Sequence, residues 1–228
     1  MKLTILAAAC TLTLSAGSIT VGTDNSGNSF PFGYSVTGPG TQYQEAYSDS
    51  LFSDPITITS IDFFLQPNSL NIVNTFYTGT FTLSLSVIPG DVNTLSDTDL
   101  DSNLGSDNTL FTTVDLSGVA PDELTFTGTP FLYNPADGNL LLNIDISNIT
   151  GNGTAVFQDV GPDGPSTIAR YQNFGTGTTG YGLVTEFDFE TAAPEPGTVG
   201  LLTAGLGTLA LFAIRRRGKC KKPQMSAF

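Results

Sequence analysis

Phe81-Thr82-Leu83-Ser84-Leu85-Ser86-Val87 places four apolar side chains on one face of an extended chain and three hydroxyls on the other. Successive side chains of a strand point to opposite sides, so this period of two marks a β-strand with one face turned to a core. The alternation returns in Leu140, Leu142, Ile144 and Ile146, set against Asn143, Asp145 and Ser147. Upstream, Ile56-Thr57-Ile58-Thr59 leads through Ile61 into Phe63-Phe64-Leu65, a predicted central strand that stops at the turn pair Pro67-Asn68. Residues 43–52, 110–116, 123–126, 154–160, 168–174 and 181–189 complete the predicted strands.

Turn chemistry fills the intervals, as in Ile88-Pro89-Gly90-Asp91, Asn134-Pro135-Ala136-Asp137-Gly138-Asn139 and Gly161-Pro162-Asp163-Gly164-Pro165. About nine short strands separated by such turns predict an all-β fold, an antiparallel two-sheet β-sandwich. A jelly-roll, which brings strands from both ends of the chain together, and a Greek-key sandwich both satisfy the pattern.

The interior of the 228-residue chain is strongly acidic. Between residues 19 and 193 stand twenty Asp and Glu against one base, Arg170, a net charge of −19. Such a surface repels phosphate backbones and anionic headgroups, which argues against nucleic acid as a partner. With a hydrophobic fraction of 39%, the acidity reads as the solvated face of a folded domain rather than as disorder. Histidine is absent, so any chemistry here falls to carboxylates and hydroxyls. The two cysteines, Cys10 and Cys220, both lie in terminal segments outside the predicted domain.

Met1-Lys2, an apolar run over 3–14 and the small residues Ser15-Ala16-Gly17-Ser18 follow the order of a secretory signal peptide, with cleavage predicted after Gly17 or Ser18. Ala7-Ala8-Ala9-Cys10 loosely resembles a lipobox, but the apolar stretch runs on through Leu12 and Leu14, which places Cys10 within it. The other end reads Ala193-Pro194-Glu195-Pro196-Gly197-Thr198, then an apolar stretch over 199–214, then Arg215-Arg216-Arg217. The stretch is just long enough to cross a bilayer with little tilt, and arginines behind it stay cytoplasmic, which leaves the acidic domain outside. Two prolines around Glu195 hold the chain extended and accessible to an enzyme.

This tripartite order resembles the PEP-CTERM sorting signal. The resemblance implies recognition of Pro194, Glu195 and Pro196 by exosortase, a membrane-embedded transpeptidase-like enzyme, with Arg215, Arg216 and Arg217 as the stop-transfer cluster. The chain departs from the family in continuing through Cys220-Lys221-Lys222 to Phe228. The interior, with Ile58-Thr59-Ser60-Ile61-Asp62-Phe63-Phe64-Leu65 and Thr127-Gly128-Thr129-Pro130-Phe131-Leu132-Tyr133, is similar to the bodies of acidobacterial PEP-CTERM proteins. The expected organisation is a signal peptide over 1–18, a β-sandwich over 19–190 and a sorting segment over 191–228, with the motif at 194–197, a transmembrane helix at 198–214 and a basic tail at 215–228. An ordinary C-terminal membrane anchor is the alternative reading of that segment.

Asp97, Asp99 and Asp101 at two-residue spacing offer oxygens to calcium, which takes six to eight. The EF-hand pattern fails, since Ser102 and Asn108 stand where Gly and Glu are required. Glu186 and Asp188 share a strand face and are a conceivable glycosidase pair; the other glutamates of the domain are Glu45, Glu123 and Glu190. Tyr43, Tyr47, Tyr171 and Tyr181 are candidate stacking surfaces for sugar rings, although most rings are expected in the core. Nucleophile elbows, phosphate-cradling loops and Cys/His metal spacings are absent from the sequence.

The sequence therefore predicts an exported, non-enzymatic surface or extracellular-matrix protein with no resident cofactor. Its expected partners are the Sec machinery, exosortase, the inner membrane before processing and an exopolysaccharide. A carbohydrate-binding or calcium-dependent adhesion module is the alternative, and a secreted glycoside hydrolase a third reading.

Overall fold

The fold was analysed in a computed structural model, which describes residues 15–34, 41–67, 73–161, 164–173 and 177–191. Twelve strands follow in chain order: β1 (Ser15–Val21), β2 (Ser26–Asn28), β3 (Thr41–Tyr47), β4 (Ile56–Phe64), β5 (Thr75–Ile88), β6 (Thr109–Val119), β7 (Glu123–Tyr133), β8 (Asn139–Thr150), β9 (Phe157–Asp159), β10 (Ile168–Gln172), β11 (Thr178–Thr179) and β12 (Thr185–Thr191). The helical residues among them are three short 3-10 turns, Asp49–Leu51, Leu100–Asn103 and Pro135–Asp137.

The stretch 81–87 lies in β5, and its alternation is kept: Phe81, Leu83 and Leu85 are fully buried. β5 pairs antiparallel with β8, which sets Leu83 opposite Ile144 and Leu85 opposite Leu142. Ser84, Ser86 and Asn143 on the other face are also buried. The chain between β5 and β6 folds over that face: Gly105 N–H donates to Ser86 Oγ at 3.1 Å, and Val92 packs with Ala46, Ile88 and Leu141.

One sheet has the order β1-β12-β4-β7 and another β11-β10-β3-β8-β5-β6, with β2 and β9 forming a two-stranded ribbon. Setting aside β10 and β11, which extend its edge, the larger sheet keeps the order β3-β8-β5-β6. Four strands interleaved in this way against β1-β12-β4-β7 make a jelly roll. The topology left open by the sequence is thus decided by adjacency: the first and last strands lie side by side.

The two sheets meet over a single aromatic-rich core. Tyr47 of β3 and Phe187 of β12 stand edge to face at 5.1 Å. Phe32, in the coil before β3, is completely buried, with its ring 5.2–5.6 Å from Phe63, Phe81, Phe126 and Phe157. Burying a side chain of this size contributes about 1.5–3 kcal/mol, so Phe32 acts as a bolt between strands of both sheets.

Most boundaries shift from the sequence reading, and three of the shifts are instructive. β3 stops at Tyr47 instead of running to 52, because Ser48 caps the 3-10 turn that follows, its side chain accepting from Ser50 N–H. β7 runs on to Tyr133, held along its length by β4. β1 begins at Ser15, so four residues of the expected signal peptide are strand. A Cβ on Gly17 would stand 3.0 Å from the Phe189 ring, and Thr20 Oγ1 donates to Glu186, which joins β1 to β12. Ser15 to Ser18 are all exposed, so little packing depends on them. Among the described residues no helix is long and apolar enough to cross a membrane; the predicted transmembrane helix and the rest of the signal peptide lie outside them.

Candidate functional site

Tyr43-Gln44-Glu45-Ala46-Tyr47 forms most of β3, and its odd-numbered members share the face turned to the core. Glu45 is fully buried there. Its carboxylate accepts from Tyr43 Oη, from Tyr47 Oη at 2.7 Å and from Leu183 N–H at 2.7 Å. Tyr47 Oη also lies 3.0 Å from Thr185 Oγ1, which donates to the Leu183 carbonyl at 3.2 Å. Burial pushes the Glu45 carboxyl up, opposed by these hydrogen bonds and by the charge of Arg170. Burial also drives both tyrosine hydroxyls well above their ordinary range, so they stay protonated as donors. The constellation clasps the chain entering β12 onto β3 of the facing sheet.

Arg170 stands opposite Glu45 in the β10–β3 register. Its guanidinium carbon lies 4.0 Å above the Tyr181 ring, a cation–π contact. Tyr181 Oη donates to Asp159 Oδ2 at 3.0 Å. Asp159, fully buried, also accepts from Ser26 Oγ and from Gly161 N–H at 2.8 Å. A carboxylate with three donors is the arrangement that makes a buried charge tolerable.

On the outer face of β3 lies a second polar layer. Gln42 and Gln44 donate to Asn143 Oδ1 at 2.9 and 3.0 Å, Gln42 also reaches Asp101 at 3.2 Å, and Asn103 donates to Gln44 at 2.9 Å. Partial burial raises the Asp145 carboxyl; its hydrogen bond from Asn143 lowers it and the Asp101 charge raises it further.

The predicted site residues scatter. Asp99 caps the 3-10 turn Leu100–Asn103 by accepting from Ser102 N–H, and Asp101 is taken by Gln42. Among the described residues no three acidic side chains converge as a metal site. Glu186 and Asp188 do share a face, on the solvent side of β12 beside Asp62, which sits opposite Glu186 on β4. The Asp188 carboxyl is raised, by desolvation first and then by the charges of Asp62 and Glu186. As sugar platforms Tyr43, Tyr47 and Tyr171 fail, being buried at 0%, 0% and 4% exposure, while Tyr181 lies half-buried beneath Arg170. Pro194, Glu195, Pro196, Arg215, Arg216 and Arg217 lie outside the described residues. Glu45 and Asp159 carry no sequence prediction, yet the Tyr-x-Glu-x-Tyr spacing on a strand was a legible sign of an acid sharing its face with two phenols.

These features define a class: an all-β body of two facing sheets whose buried acids serve the fold, followed by a separate C-terminal segment. That segment, residues 192–217, matches the PEP-CTERM protein-sorting motif and begins immediately after β12 ends at Thr191. No curated protein and no solved structure matches the chain, so the similarity of the body to acidobacterial proteins has no counterpart there. The motif supports an exported protein sorted by exosortase.

Proposed function

We propose that the protein is a non-enzymatic component of the cell surface or extracellular matrix, exported through the Sec route. It is held in the inner membrane by its C-terminal helix and then processed by exosortase. The observation that carries this reading is the sorting motif at 192–217, set directly behind the last strand of a folded body. An accessible motif next to a stable domain is what a processing enzyme requires of its substrate.

Two features support a role without catalysis. The deepest carboxylates, Glu45 and Asp159, are each saturated by three donors. The Glu186–Asp188 pair stands on the outer side of a sheet, with Thr20 and Ser60 donating to it.

Fractionation and intact mass of the protein from its host test the reading. The expected mature form starts at Ser18 or Ile19 and lacks the residues beyond the Pro-Glu-Pro motif, and Glu195→Ala leaves an unprocessed form in the membrane fraction. A full-length C-terminus in the surface form identifies an ordinary anchor. Recovery of the intact chain from cytosol overturns export altogether.

A further inference from the structure

A recess of about 430 Å³ opens where β4 runs out, walled by Phe64, Pro67, Asn74, Asp122 and Gln158 among others. Its polar residues are pinned through their main chains. Leu65 N–H donates to the Asp122 carbonyl at 2.8 Å, Ala120 N–H to the Asn74 carbonyl at 2.9 Å and Val184 N–H to the Gln158 carbonyl at 2.9 Å. Gln158 is further fixed by β9, which pairs it with Gly27 of β2. The floor is tied down too: Gln66 N–H donates to the Val156 carbonyl at 2.7 Å, and its amide, oriented to satisfy both groups, donates to Asp24 at 3.0 Å.

The side chains, by contrast, face solvent: Asp122 is exposed and Asn74 and Gln158 are half-buried. Among the described residues the Asn74 amide and the Asp122 carboxylate make no hydrogen bond, and Gln158 Nε2 makes one long bond, to the Leu65 carbonyl at 3.4 Å. Two amides and one carboxylate on a rigid frame thus stand open to a ligand, beside an apolar wall of Phe64 and Pro67.

We propose that this recess binds a neutral, hydroxyl-rich saccharide. Amide and carboxylate groups present donors and acceptors in planar pairs, which match adjacent hydroxyls that each donate and accept. The ring and the proline supply an apolar surface for the C–H face of a sugar. The volume falls within the range of small-ligand sites, about 300–1,000 Å³. An anionic ligand is opposed by Asp122, by its neighbour Glu123 and by the −19 charge of the body. A metal ion is opposed by there being a single carboxylate among the described residues of the wall. The binding surface is therefore this recess and not the tyrosines, which the fold has used in its core. The inference goes beyond export, since the recess belongs to the body whatever becomes of the tail.

Native affinity electrophoresis of the full-length chain in mild detergent tests it, in gels holding a neutral β-glucan, a neutral α-glucan, a galactomannan or carboxymethylcellulose. Expected is retardation by at least one neutral polymer and none by the anionic one. Asn74→Ala and Asp122→Ala should each weaken retardation about tenfold, and Asp137→Asn, in the 3-10 turn beyond the opposite end of β7, should leave it unchanged. Both alanine variants keep the main-chain bonds, so Tm should hold; Asn74→Leu or Asp122→Leu, close in size but without polar atoms, replaces whichever melts early. The proposal is overturned if no neutral polymer retards the chain, or if the recess variants bind as well as the unaltered protein. A chain found unprocessed in cytosol would end the export reading and leave this binding intact.

Discussion

Glu45 places a carboxyl where no water reaches it, and three donors converge on that carboxyl, two from β3 and one from the chain entering β12. Its folded pKa is raised above the ordinary 4.5, so the ionised form is the one that burial penalises. Ionising Glu45 in the folded state therefore costs stability as the pH rises, and lowering the pH through its raised pKa protonates it and returns that stability. Asp145 and Asp188 are shifted in the same direction. Thermal melts should show Tm rising as pH falls from 7 to about 5, and Glu45→Gln should flatten the rise. A Tm that falls over this window in the unaltered protein contradicts the assignment. Glu45→Leu, which orphans three donors, should cost about 3 kcal/mol or more in urea denaturation at pH 7.

Among the elements, β6 and β7 show how closely the sheets join at one side. The Cβ of an alanine at Gly128 in β7 would stand 2.4 Å from the Phe111 carbonyl oxygen and 2.6 Å from its ring. Backbone cannot yield as a side chain does, so Gly128→Ala should destabilise by about 1–3 kcal/mol, lowering Tm by roughly 2–4 °C per kcal/mol at this size. Gly90→Ala, with nothing within 4 Å, is the matched control and should melt with the parent. Strands were readable where one face is apolar and the other polar, as in β5 and β8. The ends were not: Leu51 and Phe52 invite the strand to run on past Tyr47, yet a side-chain cap at Ser48 turns the chain. Nor does the alternation of β3 reveal that Gln42 and Gln44 are buried, since their cover arrives from residues 92–103, far along the chain.

Across the whole molecule, charge repulsion is the interaction with the longest reach. A body with one base among twenty acids has little ion-pair attraction for salt to screen and much repulsion. Raising NaCl from about 10 mM to 0.5 M shortens the screening length from roughly 30 Å to a few ångströms and should raise Tm. A Tm that falls with salt would mean that attractive pairs dominate instead. Charge also bears on the candidate sites. Of the acids that drew notice as spacing in the sequence, Asp99 caps its own 3-10 turn and Asp101 accepts from Gln42 of β3. Those that hold the fold, Glu45 and Asp159, stand out only once their donors assemble.

Strand alternation, turn residues, net charge and the C-terminal motif are local properties, written in consecutive residues, and the sequence by itself determined them: an acidic, all-β body followed by a sorting segment. The jelly-roll order, the buried role of the tyrosines and the recess beside Asp122 depend on which distant segments become neighbours. Only the tertiary structure decided these, because the hydrogen bonds and contacts that select them join residues up to 166 positions apart.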